Sequence, residues 1–163
     1  MRVVRFLAVF LFLVSSSRGQ TAQPAPATPK PAENISGMYS FLREGEFVQV
    51  TVEEEGRVTG FVSRYGDSES DRGAFLNQFF KAGKIQGDKL SFTTETVHAT
   101  WYEFTGAIEH AAGKNPGEEG YRLLRGTLTE SRSDAGKNVS SKTREVLFKS
   151  FPRDLEATPP KRD

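Results

Sequence analysis

The chain of 163 residues has no cysteine, one tryptophan, two histidines and two methionines. The missing cysteine excludes a disulfide framework, a thiolate metal site, a cysteine nucleophile and lipid attachment through sulfur. Two imidazoles leave little material for acid–base or metal chemistry. No Gly-x-Ser-x-Gly nucleophile elbow occurs anywhere in the chain. The longest apolar run, Phe6 to Val14, has nine residues, whereas a membrane-spanning helix needs roughly 20. No internal repeat of fixed length is present, and no segment shows a long helical period.

What is present begins with Arg2 and Arg5, the apolar run, and then Ser15 to Gly19. A positive start, a short apolar stretch and small residues make an export signal. Residues 1–19 are therefore expected to be a signal peptide, with Ser17 and Gly19 at the cleavage site. Residues 20–34, rich in proline and alanine, read as a solvated linker. Residues 152–163, broken by proline and charged, read as a tail. Residues 35–151 remain as one domain, long enough to bury a core without disulfides. Localisation is expected to be secreted or periplasmic in a bacterium. Loss of Arg2, Arg5 and Arg18 takes 22 basic residues to 19 against 21 acidic, a net charge of −2. Such a balance gives no electrostatic case for nucleic acid, and no stable membrane span is expected after cleavage.

The domain reads as strands. "FVQVTVE" alternates Val48, Val50 and Val52 against Gln49 and Thr51, and "RVTGFVSRY" returns after a turn at Gly56. "GKIQGDKLSFTTETV" forms a second hairpin around Gly87 and Asp88. In "HATWYEFTGAIEH", Tyr102, Phe104 and Ile108 share one face, and Trp101, Glu103 and Glu109 the other. Two glycine-bearing loops and the strands "YRLLRGTLTE" and "SKTREVLFKSF" complete the set. Seven or eight short strands joined by such turns predict an all-β antiparallel barrel or sandwich, and closure into a barrel removes exposed edges.

The richest cluster of functional groups is "YGDSESDRGAF", Tyr65 to Phe75. Asp67, Glu69 and Asp71 alternate as calcium ligands do, but an EF-hand loop counted from Asp67 would need glycine at Arg72 and glutamate at Gln78. Ser68 as a nucleophile would require a base, so a hydrolase needs a serine or carboxylate in reach of His98 or His110. Those histidines, twelve residues apart on one strand, would lie roughly 40 Å apart if it ran straight, too far to share a metal. No catalytic residue, metal or cofactor is assigned, and a looser, non-EF cation site at Asp67, Glu69 and Asp71 stays open. In the next stretch, Phe75 with Phe79 and Leu76 with Phe80 are i,i+4 pairs. Acidic residues precede them, and Lys81 and Gly83 follow. This predicts one short helix, a lid or plug at an end of the barrel.

The stretch "ISGMYSFLREGEFVQVTVEEEGRVTGFVSRYG" resembles the opening of the avidin and streptavidin family. Its Gly37-Met-Tyr39 start is also similar to the Gly-x-Trp of the lipocalins. The resemblance implies an up-and-down barrel of about eight strands. It departs from the avidin pattern where biotin is held. Phe41 and Gly45 stand near the places of the asparagine and serine that hold the ureido ring, and Trp101 is the single counterpart of several tryptophans. Biotin binding is therefore not expected.

The expected function is a non-enzymatic binding protein of the bacterial envelope. It would hold a small, partly apolar ligand among Tyr39, Tyr102, Phe104, Ile108 and Tyr121, under Phe75, Leu76, Phe79 and Phe80. The competing reading is a filled barrel that binds an envelope protein or glycan through its outer surface, with Trp101 in the contact. The sequence assigns no oligomeric state.

Overall fold

A computed structural model describes residues 35–153. Residues 1–34, where a signal peptide and linker are expected, and the residues beyond 153 lie outside the described residues. Eight strands follow one another: β1 (Gly37–Ser40), β2 (Phe47–Val52), β3 (Val58–Tyr65), β4 (Phe75–Gln86), β5 (Lys89–Thr94), β6 (Thr100–His110), β7 (Arg122–Ser133) and β8 (Val139–Lys149). Each pairs antiparallel with the next, in the order β1 to β8. The curled sheet meets itself at a Tyr39–Ser150 bridge. There the Phe151 amide donates to the Met38 carbonyl at 2.9 Å. This is the expected all-β, up-and-down, avidin-like barrel.

The alternation seen in the sequence sorts side chains into core and surface. Val48, Val50, Val58, Val62, Leu90, Leu124 and Leu128 point inward and are fully buried. A train of aromatic rings crosses the interior. Phe80 stacks on Phe92 (4.3 Å between centroids), Phe92 on Phe104 (5.3 Å), Phe104 meets Phe148 (5.6 Å), and Phe41 joins Phe148 and Tyr102 (5.2 Å each). Glycine lets the strands bend enough to curl. Gly106 and Gly126 face each other across β6 and β7. A Cβ on either would lie 2.3 Å from a carbonyl oxygen of the neighbouring strand, a distance no methyl group tolerates.

The predicted helix at residues 75–81 is a strand. β4 pairs with β3 through Phe75–Tyr65, Leu76–Arg64, Asn77–Ser63, Gln78–Val62 and Phe79–Phe61. A spacing of four is even, so it keeps two side chains on one face of a strand just as it does on a helix. Phe75 and Phe79 share the outer face, at 51% and 55% exposed, whereas Leu76, Gln78 and Phe80 alternate with them. The acidic run forms one 3-10 turn, Glu69–Asp71, with no side-chain cap. Lys81 and Gly83 lie within β4, where the register shifts between Phe80 and Ala82. That one-residue bulge reverses the alternation, and Ile85, odd-numbered, is buried.

Candidate functional site

In a meander, alternate connections lie at one end of the barrel. Residues 41–46, 66–74, 95–99 and 134–138 therefore form one rim. Below the rim, the inward positions of the strands change from apolar to polar. β3 runs Val58, Gly60, Val62 and then Arg64. On β4, Gln78 lies between Leu76 and Phe80. Arg64 and Gln78 are both buried.

Every polar group of Gln78 that faces the interior has a partner. Its Oε1 accepts from Arg64 Nε at 2.7 Å, and its Nε2 donates to the carbonyls of Thr100 (2.8 Å) and Glu95 (3.3 Å). Arg64 Nη1 donates to the Tyr65 carbonyl (3.1 Å) and to Asp67 Oδ2 (3.2 Å). Its guanidinium also lies 6.0 Å from the centre of the Tyr102 ring. Burial pushes the Tyr102 phenol up to about 12, against a smaller opposing pull from Arg64.

Asp67 sits among three guanidinium groups. Arg43 Nη2 reaches its Oδ1 at 3.2 Å, and Arg64 Nη1 and Arg132 Nη2 reach its Oδ2, each at 3.2 Å. Arg43 is set by the buried Glu46. The Glu46 carboxylate accepts from Arg43 Nε (2.8 Å), from the Arg43 amide (3.1 Å) and from the Tyr65 amide (3.0 Å). Its neighbour Glu46 and Asp67 together push the Arg43 pKa upward, the Glu46 hydrogen bond most. Farther along the rim, Glu130 binds Arg144 at 2.5 Å and approaches Arg132 at 3.7 Å.

The connection between β5 and β6 is held at an unusual backbone conformation. His98 and Ala99 both have positive φ, 50° and 60°, inside a turn closed by Val97 and Thr100 at 3.0 and 3.1 Å. This two-residue turn ordinarily carries Asn-Gly, because L side chains resist positive φ. Here it aims His98 Nδ1 at Asp71 Oδ2, 2.5 Å away, and Ser68 Oγ donates to that same oxygen at 2.5 Å. Arg64, Asp67, Leu76, His98, Ala99 and Arg132 thereby surround a pocket of 160 Å³. A groove of 450 Å³ along β4 to β7 is larger, but serine and threonine make up about half of its lining and Lys84 and Glu103 are its charged members.

The structure separates the expected ligand residues. Tyr39, Tyr102 and Phe104 are core side chains in ring contact or hydrogen bonded within the core; Tyr39 Oη donates to the Ile35 carbonyl at 2.6 Å. Ile108 packs half-buried against that core. Tyr121 lies at the opposite end, its ring 4.8 Å from His110. Leu76 alone of the supposed lid reaches the rim pocket. Trp101 stands on the outer face of β6, half-buried and paired in register with Ser131. Among the described residues, no group of three His, Cys, Asp or Glu side chains is arranged to hold a metal ion. Sequence reasoning passed over Glu46, Arg64, Gln78 and Arg132. The missed signal was parity: Arg64 continues the inward series Val58-Gly60-Val62, and Gln78 lies two residues from Leu76 and from Phe80.

No protein-family model matches the chain, and no curated protein does. Solved structures do. The rhizavidin–biotin complex superposes with a TM-score of 0.55 at 11% identity, covering 76% of this chain and 98% of rhizavidin. Intact apo afifavidin gives 0.52 at 13%, covering 77% and 87%. The short afifavidin–biotin complex gives 0.51 at 12%, covering 74% and 92%. At these identities the likeness establishes an avidin-like barrel.

Proposed function

We propose that this chain is an exported, non-enzymatic barrel protein of the bacterial envelope that binds a small ligand at the rim of the barrel rather than deep inside it. One observation carries this reading: the centre of the barrel is packed with rings, while the rim holds a 160 Å³ pocket on which charged and apolar groups converge. Small-ligand sites commonly combine a concave wall with a few well-placed polar groups. The solved neighbours include two complexes named for biotin, which supports small-molecule binding for the fold. Biotin itself is not the ligand proposed. Phe41 fills core space against Tyr102 and Phe148, and Trp101 faces outward.

The carboxylate in reach of His98 that a hydrolase would need is present as Asp71, 2.5 Å away, but the order Ser68–Asp71–His98 does not form a nucleophile–base pair. Asp71 stands between the other two, so the serine hydroxyl donates to a carboxylate and not to an imidazole base. Native mass spectrometry of the protein from its own cells is the direct test. A bound small molecule of defined mass is expected; ligand-free protein in every charge state would overturn the reading.

A second reading rests on a different feature. Phe47, Phe61 and Phe79 form a row across the outer face of β2 to β4, at 5.8 and 5.6 Å between rings. Tyr65 lies beside Phe75 at 4.5 Å. An outward-facing aromatic row, with Phe75 and Phe79 exposed and the other rings half-buried, suits contact with another envelope protein or a glycan. Chemical-shift changes confined to this row on adding envelope extract would favour it over the rim.

A further inference from the structure

We infer that the rim pocket recognises the carboxylate of a small organic acid, and that Asp67 occupies its place as a tethered substitute; this rests on the rim being a ligand site. Arg64 carries the inference. Its side chain is 3% exposed, and a buried guanidinium needs an anionic partner. Within 4 Å that partner is Asp67, while its other contacts are the neutral Gln78 side chain and a carbonyl. Asp67, by contrast, is 40% exposed and belongs to a connecting loop. A fixed cation deep in the wall is thus neutralised by an acid that reaches in from outside.

Arg43 and Arg132 add donors from the first connection and from β7, so one carboxylate is gripped from three elements. Arginine suits this task, because its planar donors match the two oxygens of a carboxylate. Leu76 and Ala99 give the same 160 Å³ space an apolar strip, while the Asp71 carboxylate on its edge is engaged by His98 and Ser68. That space accepts a short alkyl chain whose acid group takes over the Asp67 contacts. The exchange conserves charge: one carboxylate leaves the three arginines and another arrives. A tethered group competes at an effective concentration of order millimolar, so the native loop lowers the apparent affinity of a free acid and selects ligands with an added apolar contact.

Titration calorimetry with butyrate and with its neutral isostere butyramide tests this on the full chain. Asp67→Ala should bind butyrate at least about tenfold more tightly than the unaltered protein, one 1.4 kcal/mol step. Butyramide should bind that variant about tenfold more weakly than butyrate does. Adding Arg132→Gln, a change at a half-exposed position, should remove most of the gain. Should Asp67→Ala fail to fold, Asp67→Asn preserves shape, and the same order of affinities is expected. Equal binding of butyrate and butyramide would overturn the carboxylate inference while leaving a ligand site at the rim. No butyrate binding by either Asp67 variant, with a small molecule still bound in native mass spectra, would likewise overturn this inference alone. Silence in both experiments would overturn the rim as a binding site.

Discussion

Gln78 shows how one side chain sets up the rim. It is fully buried, and it joins β4 to β3 through Arg64 and to the β5–β6 connection through Thr100 and Glu95. Replacing it with leucine fills the volume but leaves the Arg64 Nε–H without its acceptor and takes from the Thr100 carbonyl one of its two donors, the Val97 amide remaining. An unmet buried polar group costs about 1–3 kcal/mol, more when charged. Gln78→Leu should therefore lower stability by about 2–4 kcal/mol in urea unfolding; a loss under about 0.5 kcal/mol would show that the network contributes nothing. Tyr102 supplies a pH dependence of known sign. Burial raises its phenol to about 12 from the ordinary 10, so the folded state holds this proton more tightly than the unfolded state. The resulting stability is fully present below pH 10 and is lost as pH rises through 12. Tyr102→Phe should flatten the fall in stability between those two values, and an unchanged slope would rule out Tyr102 as its source.

β4 is where local pattern and tertiary structure diverge. Phe79 points outward beside Phe61, while Phe80 and Phe92 stack within the barrel. A lid helix would have buried Phe79. On the observed strand, Phe79→Ala should cost less than about 1 kcal/mol, as surface changes do. Phe92→Ala, which removes a buried ring between Phe80 and Phe104, should cost about 3–5 kcal/mol. Chemical denaturation of the two variants distinguishes strand from helix, and a reversed order would restore the helix. β8 presents a different problem. Its register with β7 spans eleven pairs, but its junction with β1 is short: the Lys149 amide donates to Ser40 Oγ at 2.9 Å, beside the Tyr39–Ser150 bridge and the Phe151–Met38 hydrogen bond. Lys142, Arg144 and Lys149 stand along this strand, and such charges discourage edge-to-edge pairing with other chains.

At the scale of the whole molecule, a small barrel has divided its interior by chemistry. The middle is filled with aromatic and aliphatic side chains, and the buried charges lie toward the ends, Glu46 and Arg64 near the rim and Arg122 at the opposite end. An empty barrel would sacrifice packing throughout, whereas a rim site costs only a few buried charges, each paired. No helix among the described residues is long and apolar enough to cross a membrane. Export is a proposal that rests on residues 1–19. The protein recovered from the culture medium or periplasm should have the intact mass of a chain beginning at Gln20. Recovery of the uncleaved chain from the cytoplasm alone would exclude it.

Much of the fold was legible because strand burial has a period of two, and sequence displays that period directly. The hairpins at Gly56 and at Gly87-Asp88, the shared face of Tyr102, Phe104 and Ile108, and the outward Trp101 all follow from it. β4 was ambiguous for a reason inherent in the signal: i and i+4 coincide on a strand and on a helix, and the bulge after Phe80 broke the alternation that would have separated them. The site was hidden more deeply. Nothing local says that Arg43, Arg64 and Arg132 meet, because they lie on separate elements that closure of the sheet alone brings together. "YGDSESDRGAF" stands out in the sequence for its acids, and Asp67 and Asp71 do belong to the rim. Their roles are set by Arg64, three residues before Asp67, by Arg43 and Arg132 from far along the chain, and by a histidine held in a turn that disfavours it.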